Sequence, residues 1–125
     1  MNVKIDTKEK FTVFTPTGPS LTANMTEEFK DLLLVNLQKP VPHLILNLKQ
    51  VKQIDNEVAN TLSEIQQLYY EKNCSFIVCE IKKDVEQLLD EQNILEMMNT
   101  TPTESEAWDI IQMEEIEREI LNEDE

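Results

Sequence analysis

A chain of 125 residues, 40% of them apolar, suffices for one ordinary domain with its own core and is short for two. Its 25 acidic against 11 basic residues give a formal net charge of −14, which disfavours both nucleic acid and anionic membrane surfaces, whose phosphates recruit Lys and Arg. The single Gly excludes glycine-rich phosphate loops. A strongly acidic surface chiefly maintains solubility, and it admits a basic protein partner. Met1-Asn2-Val3-Lys4-Ile5 lacks the apolar core of a signal peptide, and Leu32-Leu33-Leu34-Val35 is too short to span a bilayer. The expectation is a cytoplasmic protein with no direct membrane insertion.

Val3-Lys4-Ile5-Asp6-Thr7 and Phe11-Thr12-Val13-Phe14 alternate apolar and polar residues around Lys8-Glu9-Lys10, which predicts a hairpin. Pro16-Thr17-Gly18-Pro19 ends the second strand. A helix follows, with Thr22 or Asn24 as N-cap and Met25, Phe29, Leu32, Leu33 and Leu37 as its buried side. Pro40 and Pro42 stop it. His43-Leu44-Ile45-Leu46-Asn47-Leu48 then reads as a buried strand, with His43 an ordinary strand-end residue.

Val58, Leu62, Ile65 and Tyr69 recur at i, i+4, i+7 and i+11, one face of a second helix. Asp55 is placed to cap that helix, and Glu57 in its first turn faces the positive end of the helix dipole. Cys74-Ser75-Phe76-Ile77-Val78-Cys79 reads as a central strand. Extended geometry separates the two cysteines by roughly 16 Å and points them to opposite faces, so both are expected to be reduced. Val85, Leu88 and Leu89 mark a short helix, and Ile94–Thr101 contains the last strand candidate. Thr103-x-x-Glu106 fits a capping box for a final helix whose apolar side is Ala107, Ile110, Ile111, Met113, Ile116 and Ile120. Asn122-Glu123-Asp124-Glu125 are expected to be disordered. The order β β α β α β α β α implies an α/β layer with an antiparallel hairpin at one edge.

That order, together with Ser20-Leu21-Thr22-Ala23-Asn24-Met25, Leu44-Ile45-Leu46-Asn47-Leu48, Ile54-Asp55 and Thr103-Glu104-Ser105-Glu106-Ala107, resembles the STAS domain of anti-sigma factor antagonists and sulfate-transporter tails. The resemblance implies a mixed sheet of about five strands with helices. It assigns residues 1–113 to a STAS-like domain and leaves 114–125 as an acidic C-terminal helical extension and tail. In switching members of the family a loop reading Asp-Ser-Ser/Thr-Gly carries a serine or threonine phosphoacceptor. Asp55, Asn56, Glu57 and Val58 stand at those positions, so the acceptor is Glu57 and the glycine is Val58. Phosphorylation there is chemically excluded, and nothing in the sequence promotes Thr61 or Ser63 to acceptors.

The resemblance therefore implies a non-catalytic, cytoplasmic bacterial protein-binding module. Asp55, Asn56, Glu57 and Val58, with Thr61 on the adjoining face, would meet an anti-sigma or serine-kinase-like regulator. The alternative is an accessory subunit of an ABC system that moves lipids, meeting the transporter ATPase through a similar surface. An enzyme using Asp55 and Glu57 as an acid/base pair lacks supporting His, Cys, Ser or Lys residues, and no cofactor or metal ligand set is evident. The final helix is expected to pack its extension on its own domain or on a second copy in a homodimer.

Overall fold

A computed structural model describes residues 1–123. Strands β1 (Val3–Thr7) and β2 (Thr12–Pro16) form the expected antiparallel hairpin, with Ile5 opposite Phe14. Two short strands follow in separate places, β3 (Ser20–Leu21) and β5 (Gln53–Ile54), which pair in parallel as a small second sheet. Between them lie helix α1 (Thr26–Val35) and strand β4 (Leu44–Asn47). Helix α2 (Asn56–Glu71), strand β6 (Phe76–Cys79), helix α3 (Lys83–Glu91), strand β7 (Thr100–Thr101) and helix α4 (Glu104–Glu123) complete the chain. The main sheet is five-stranded in the order β1-β2-β4-β6-β7, parallel except for the hairpin edge.

Alternation along the central strands divides the core between the two faces of this sheet. Phe14, Leu44, Leu46, Phe76 and Val78 pack with Phe29 and Leu33 of α1, Val58, Leu62, Ile65 and Tyr69 of α2, and Val85 and Leu89 of α3. The Tyr69 hydroxyl donates to the Leu33 carbonyl at 2.5 Å, joining α2 to α1 from within the core. Val13, Ile45, Ile77 and Cys79 face the other way, against Ala107 and Ile111 of α4. Phe11 and Trp108 close that side with ring centroids 4.8 Å apart. Both cysteines are free, and burial pushes the Cys79 thiol up to about 12.

With glycine nearly absent, asparagine ends the helices. Asn73 and Asn93 adopt φ of 57° and 59° just past α2 and α3. The Cys74 and Ile94 amides then bond back to Tyr69 and Leu89 carbonyls, at 2.9 Å in both cases. This is the left-handed helix stop that asparagine tolerates better than most residues.

Three expectations change. The Ile94–Thr101 segment contributes two strand residues, because Leu95–Met97 form a 3-10 turn while Ile94 and Met98 fill the core. Met113, Ile116 and Ile120 do not join the apolar side of α4 but stand more than half exposed. The helix also continues to Glu123, so Asn122 and Glu123 are helical where disorder was expected. Asp124 and Glu125 lie outside the described residues.

Candidate functional site

The head of α2 is held by the small sheet. Lys52 and Gln53 amides donate to the Pro19 carbonyl at 2.7 and 3.1 Å, and the Asp55 amide donates to the Leu21 carbonyl at 2.9 Å. The loop between β5 and α2 is thereby registered against the entry to α1.

Asp55 occupies the N-cap position in extended conformation, with φ −84° and ψ 160°, and its carbonyl accepts the Ala59 amide at 3.1 Å. Its side chain makes no cap bond to α2. The carboxylate instead crosses to the neighbouring segment, where Oδ2 accepts the Ala23 amide at 2.7 Å. Ala23 opens the 3-10 turn Ala23–Met25 that leads into α1, and Thr22 before it supplies no side-chain cap. The Thr22 hydroxyl is engaged with Asn24 Oδ1 instead. Asp55 thus satisfies an orphan amide of another helical entry and ties the two helix heads together.

Asn56 and Glu57 follow in the first turn of α2, both exposed. Val58 is wholly buried in the core beneath them. Thr61, expected on the partner face, is 5% exposed, and its hydroxyl donates to the Glu57 carbonyl at 2.9 Å. Val58 and Thr61 therefore support the turn from below. Ser63 is half-buried, while Asn60 and Glu64 are exposed further along α2. Lys30 of α1 pairs with Glu64 at 3.0 Å and neutralises that end of the face. Glu57 makes no such ion pair among the described residues, leaving its charge available at a helix N-terminus.

A second polar constellation escaped sequence reading. His43 Nδ1 accepts the Ser75 amide at 3.0 Å, while Nε2 meets Glu115 Oε1 at 3.0 Å. The ring is therefore the neutral tautomer with its proton on Nε2, directed at Glu115. Burial, reinforced by nearby Arg118, holds its pKa below the ordinary histidine range. The Ser75 hydroxyl donates to Glu114 Oε1 and accepts from Arg118 Nη2, each at 2.7 Å. Serine, histidine and glutamate are neighbours here, yet both ring nitrogens are engaged away from the Ser75 hydroxyl. The group latches α4 to the sheet and does not provide an activated nucleophile. Asn47, buried at the end of β4, adds a further tie by donating to Glu104 Oε1 at 3.1 Å.

No helix among the described residues is long and apolar enough to cross a membrane, and no group of three His, Cys, Asp or Glu among them could hold a metal ion. The family model described as the STAS domain matches residues 2–107. No curated protein matches the chain by sequence. Among solved structures, it is similar to a Thermotoga maritima protein described as a candidate anti-sigma factor antagonist, at 19% identity and a TM-score of 0.80 over 88% of this chain and 94% of that one. An anti-sigma-factor antagonist (STAS) domain protein from Planctomyces limnophilus is similar at 18% identity and a TM-score of 0.77, over 88% and 97% of the two chains. Moorella thermoacetica RsbS, in a serine-to-glutamate variant, is similar at 21% identity and a TM-score of 0.72, over 90% and 96%.

Proposed function

The chain belongs to the STAS-domain family, and from that premise we infer that it is a non-catalytic regulatory module docking a protein partner through the exposed head of α2. The observation that carries this reading is Glu57. It stands exposed in the first turn of α2, at the position where the resemblance sets the phosphoacceptor, on a turn braced by the Asp55–Ala23 bond. A carboxylate there is a permanent, reduced copy of a phosphoserine, one negative charge against roughly −1.5 to −2. That RsbS has this fold with a serine replaced by glutamate supports the compatibility of such a residue with the domain.

Recognition then falls to Asp55, Asn56, Glu57 and Val58 as one unit. Glu57 and Asn56 supply the contacts, Asp55 fixes the turn, and Val58 and Thr61 anchor it in the core. The partner is a regulator of the anti-sigma or serine-kinase type presenting Arg or Lys to Glu57. It reads a fixed acidic state, without a phosphorylation cycle at this position.

Affinity capture from the native cells with wild-type chain and with Glu57→Lys, followed by mass spectrometry, tests the reading. The expected result is a kinase-like regulator held by the wild type and lost by the variant. Recovery of an ABC-transporter ATPase in its place would favour the lipid-transport accessory role, and equal recovery by both baits would remove Glu57 from the site.

A further inference from the structure

Beyond Trp108, Ile110 and Ile111, helix α4 reverses its polarity. At 100° per residue, Ala107, Ile111, Glu114 and Arg118 share one arc of about 60°. Ala107 and Ile111 pack on the sheet, and Glu114 and Arg118 bind Ser75. Met113, Ile116 and Ile120 lie on the opposite side at 56, 55 and 54% exposure. Scattered exposed apolar residues are ordinary, but this set is spaced i, i+3, i+7 along about 10 Å of one helix. That is the anchor pattern of a helix meeting another helix or a groove.

The surroundings select the occupant. Exposed Glu119 and Gln112 flank one side of the stripe, exposed Glu117 the other, and exposed Asp109 its N-terminal end. Arg118 is the only basic residue between positions 109 and 123, and its guanidinium is committed to Ser75. Two copies meeting through this stripe would bring Glu117 and Glu119 of each against the other's acids, in chains already at −14. An anionic membrane surface is repelled for the same reason. We propose that the outer face of α4 is a second docking surface, fitted to an amphipathic helix of a partner protein with apolar anchors and Lys or Arg on both flanks. It lies across the sheet from α2, so it is independent of the head of that helix.

The test uses the full chain and a labelled synthetic peptide with Leu at helical i, i+3, i+4 and i+7 positions and Lys or Arg on both flanks, followed by fluorescence anisotropy. The peptide should bind, and a scrambled peptide of equal composition should bind at least about tenfold more weakly. Ile116→Gln with Ile120→Gln should weaken binding by about tenfold or more at an unchanged melting temperature, since both side chains are exposed. Glu117→Lys with Glu119→Lys should also weaken it, whereas Glu57→Lys should leave it unaltered. Equal binding of the scrambled peptide would reduce the effect to bulk charge and overturn the proposal. So would binding that survives the Gln variants, which would place the peptide elsewhere, such as the acid-rimmed groove between Ile5 and Val35. A wild-type dimer in sedimentation that the Gln variants convert to monomer would assign the stripe to a second copy and likewise overturn it.

Discussion

Asp55 shows how one residue can satisfy a positional rule while serving another element. Its backbone is that of an N-cap, but its carboxylate accepts the amide of Ala23, 32 residues earlier. A half-buried, charge-assisted hydrogen bond between segments is worth more than an exposed cap, so Asp55→Ala should cost about 2 kcal/mol in denaturant unfolding. A cost of a few tenths would mean that water replaces the bond. Nothing local announces this pairing, because the signal for a cap and the signal for a cross-segment bond are the same residue type. His43 is a similar case: it reads as a strand end, yet its partners Ser75 and Glu115 lie far away in sequence. Its folded pKa is lowered, so the unfolded chain takes up the proton first. The stability contributed by neutral His43 is present above the unfolded value, about 6.5, and is lost as pH falls through the folded value. The measurement is therefore a difference between two chains that vary only at this side chain. Melting temperature between about pH 7 and 5.5 should fall more steeply for wild type than for His43→Gln. Parallel slopes would show that His43 protonates without consequence.

Elements with a single dominant period were legible. Val58, Leu62, Ile65 and Tyr69 are all fully buried, as the α2 spacing requires. The Thr103–Glu106 capping box forms reciprocally, with the Thr103 amide bonding Glu106 Oε2 at 3.2 Å and the Glu106 amide bonding Thr103 Oγ1 at 3.3 Å. Strands β3 and β5 were missed because two residues have no period. The far half of α4 misled for a different reason. Its apolar spacing is helical, but periodicity gives a face without saying what that face meets. The polar residues Glu114, Glu115 and Arg118 turn inward because Ser75, Asn99 and His43 offer them partners. Truncation after Met113 removes all three, and with them the bonds to Ser75, Asn99 and His43. The bonds to buried Ser75 and His43 contribute about 1 kcal/mol each, so the truncated chain should melt at a lower temperature. An unchanged melting temperature would make residues 114–125 a free acidic appendage.

Across the whole molecule, an excess of 14 negative charges opposes compaction. Among the described residues few of the acids are paired with a cation: Glu28 meets the Met1 amino group, Glu64 meets Lys30, Asp6 meets Lys4 and Glu114 meets Arg118. Sodium chloride at a few tenths molar screens exposed charges beyond about 8–10 Å and should raise the unfolding midpoint. A flat response would show that the acids are already balanced locally. The fold itself followed from the alternation of elements, while the geometry of the candidate site was legible only in part. The position of Glu57 was readable, but not the brace beneath it, since that depends on contacts between distant segments. The central claim is that Glu57 is a recognition charge and not a structural one. It is tested most directly by calorimetric titration of the captured partner with wild type and Glu57→Lys, with melting curves of both. The account predicts at least about a tenfold loss of affinity for Glu57→Lys, or about 1.4 kcal/mol, with the fold intact. Equal affinity for the two chains would contradict it.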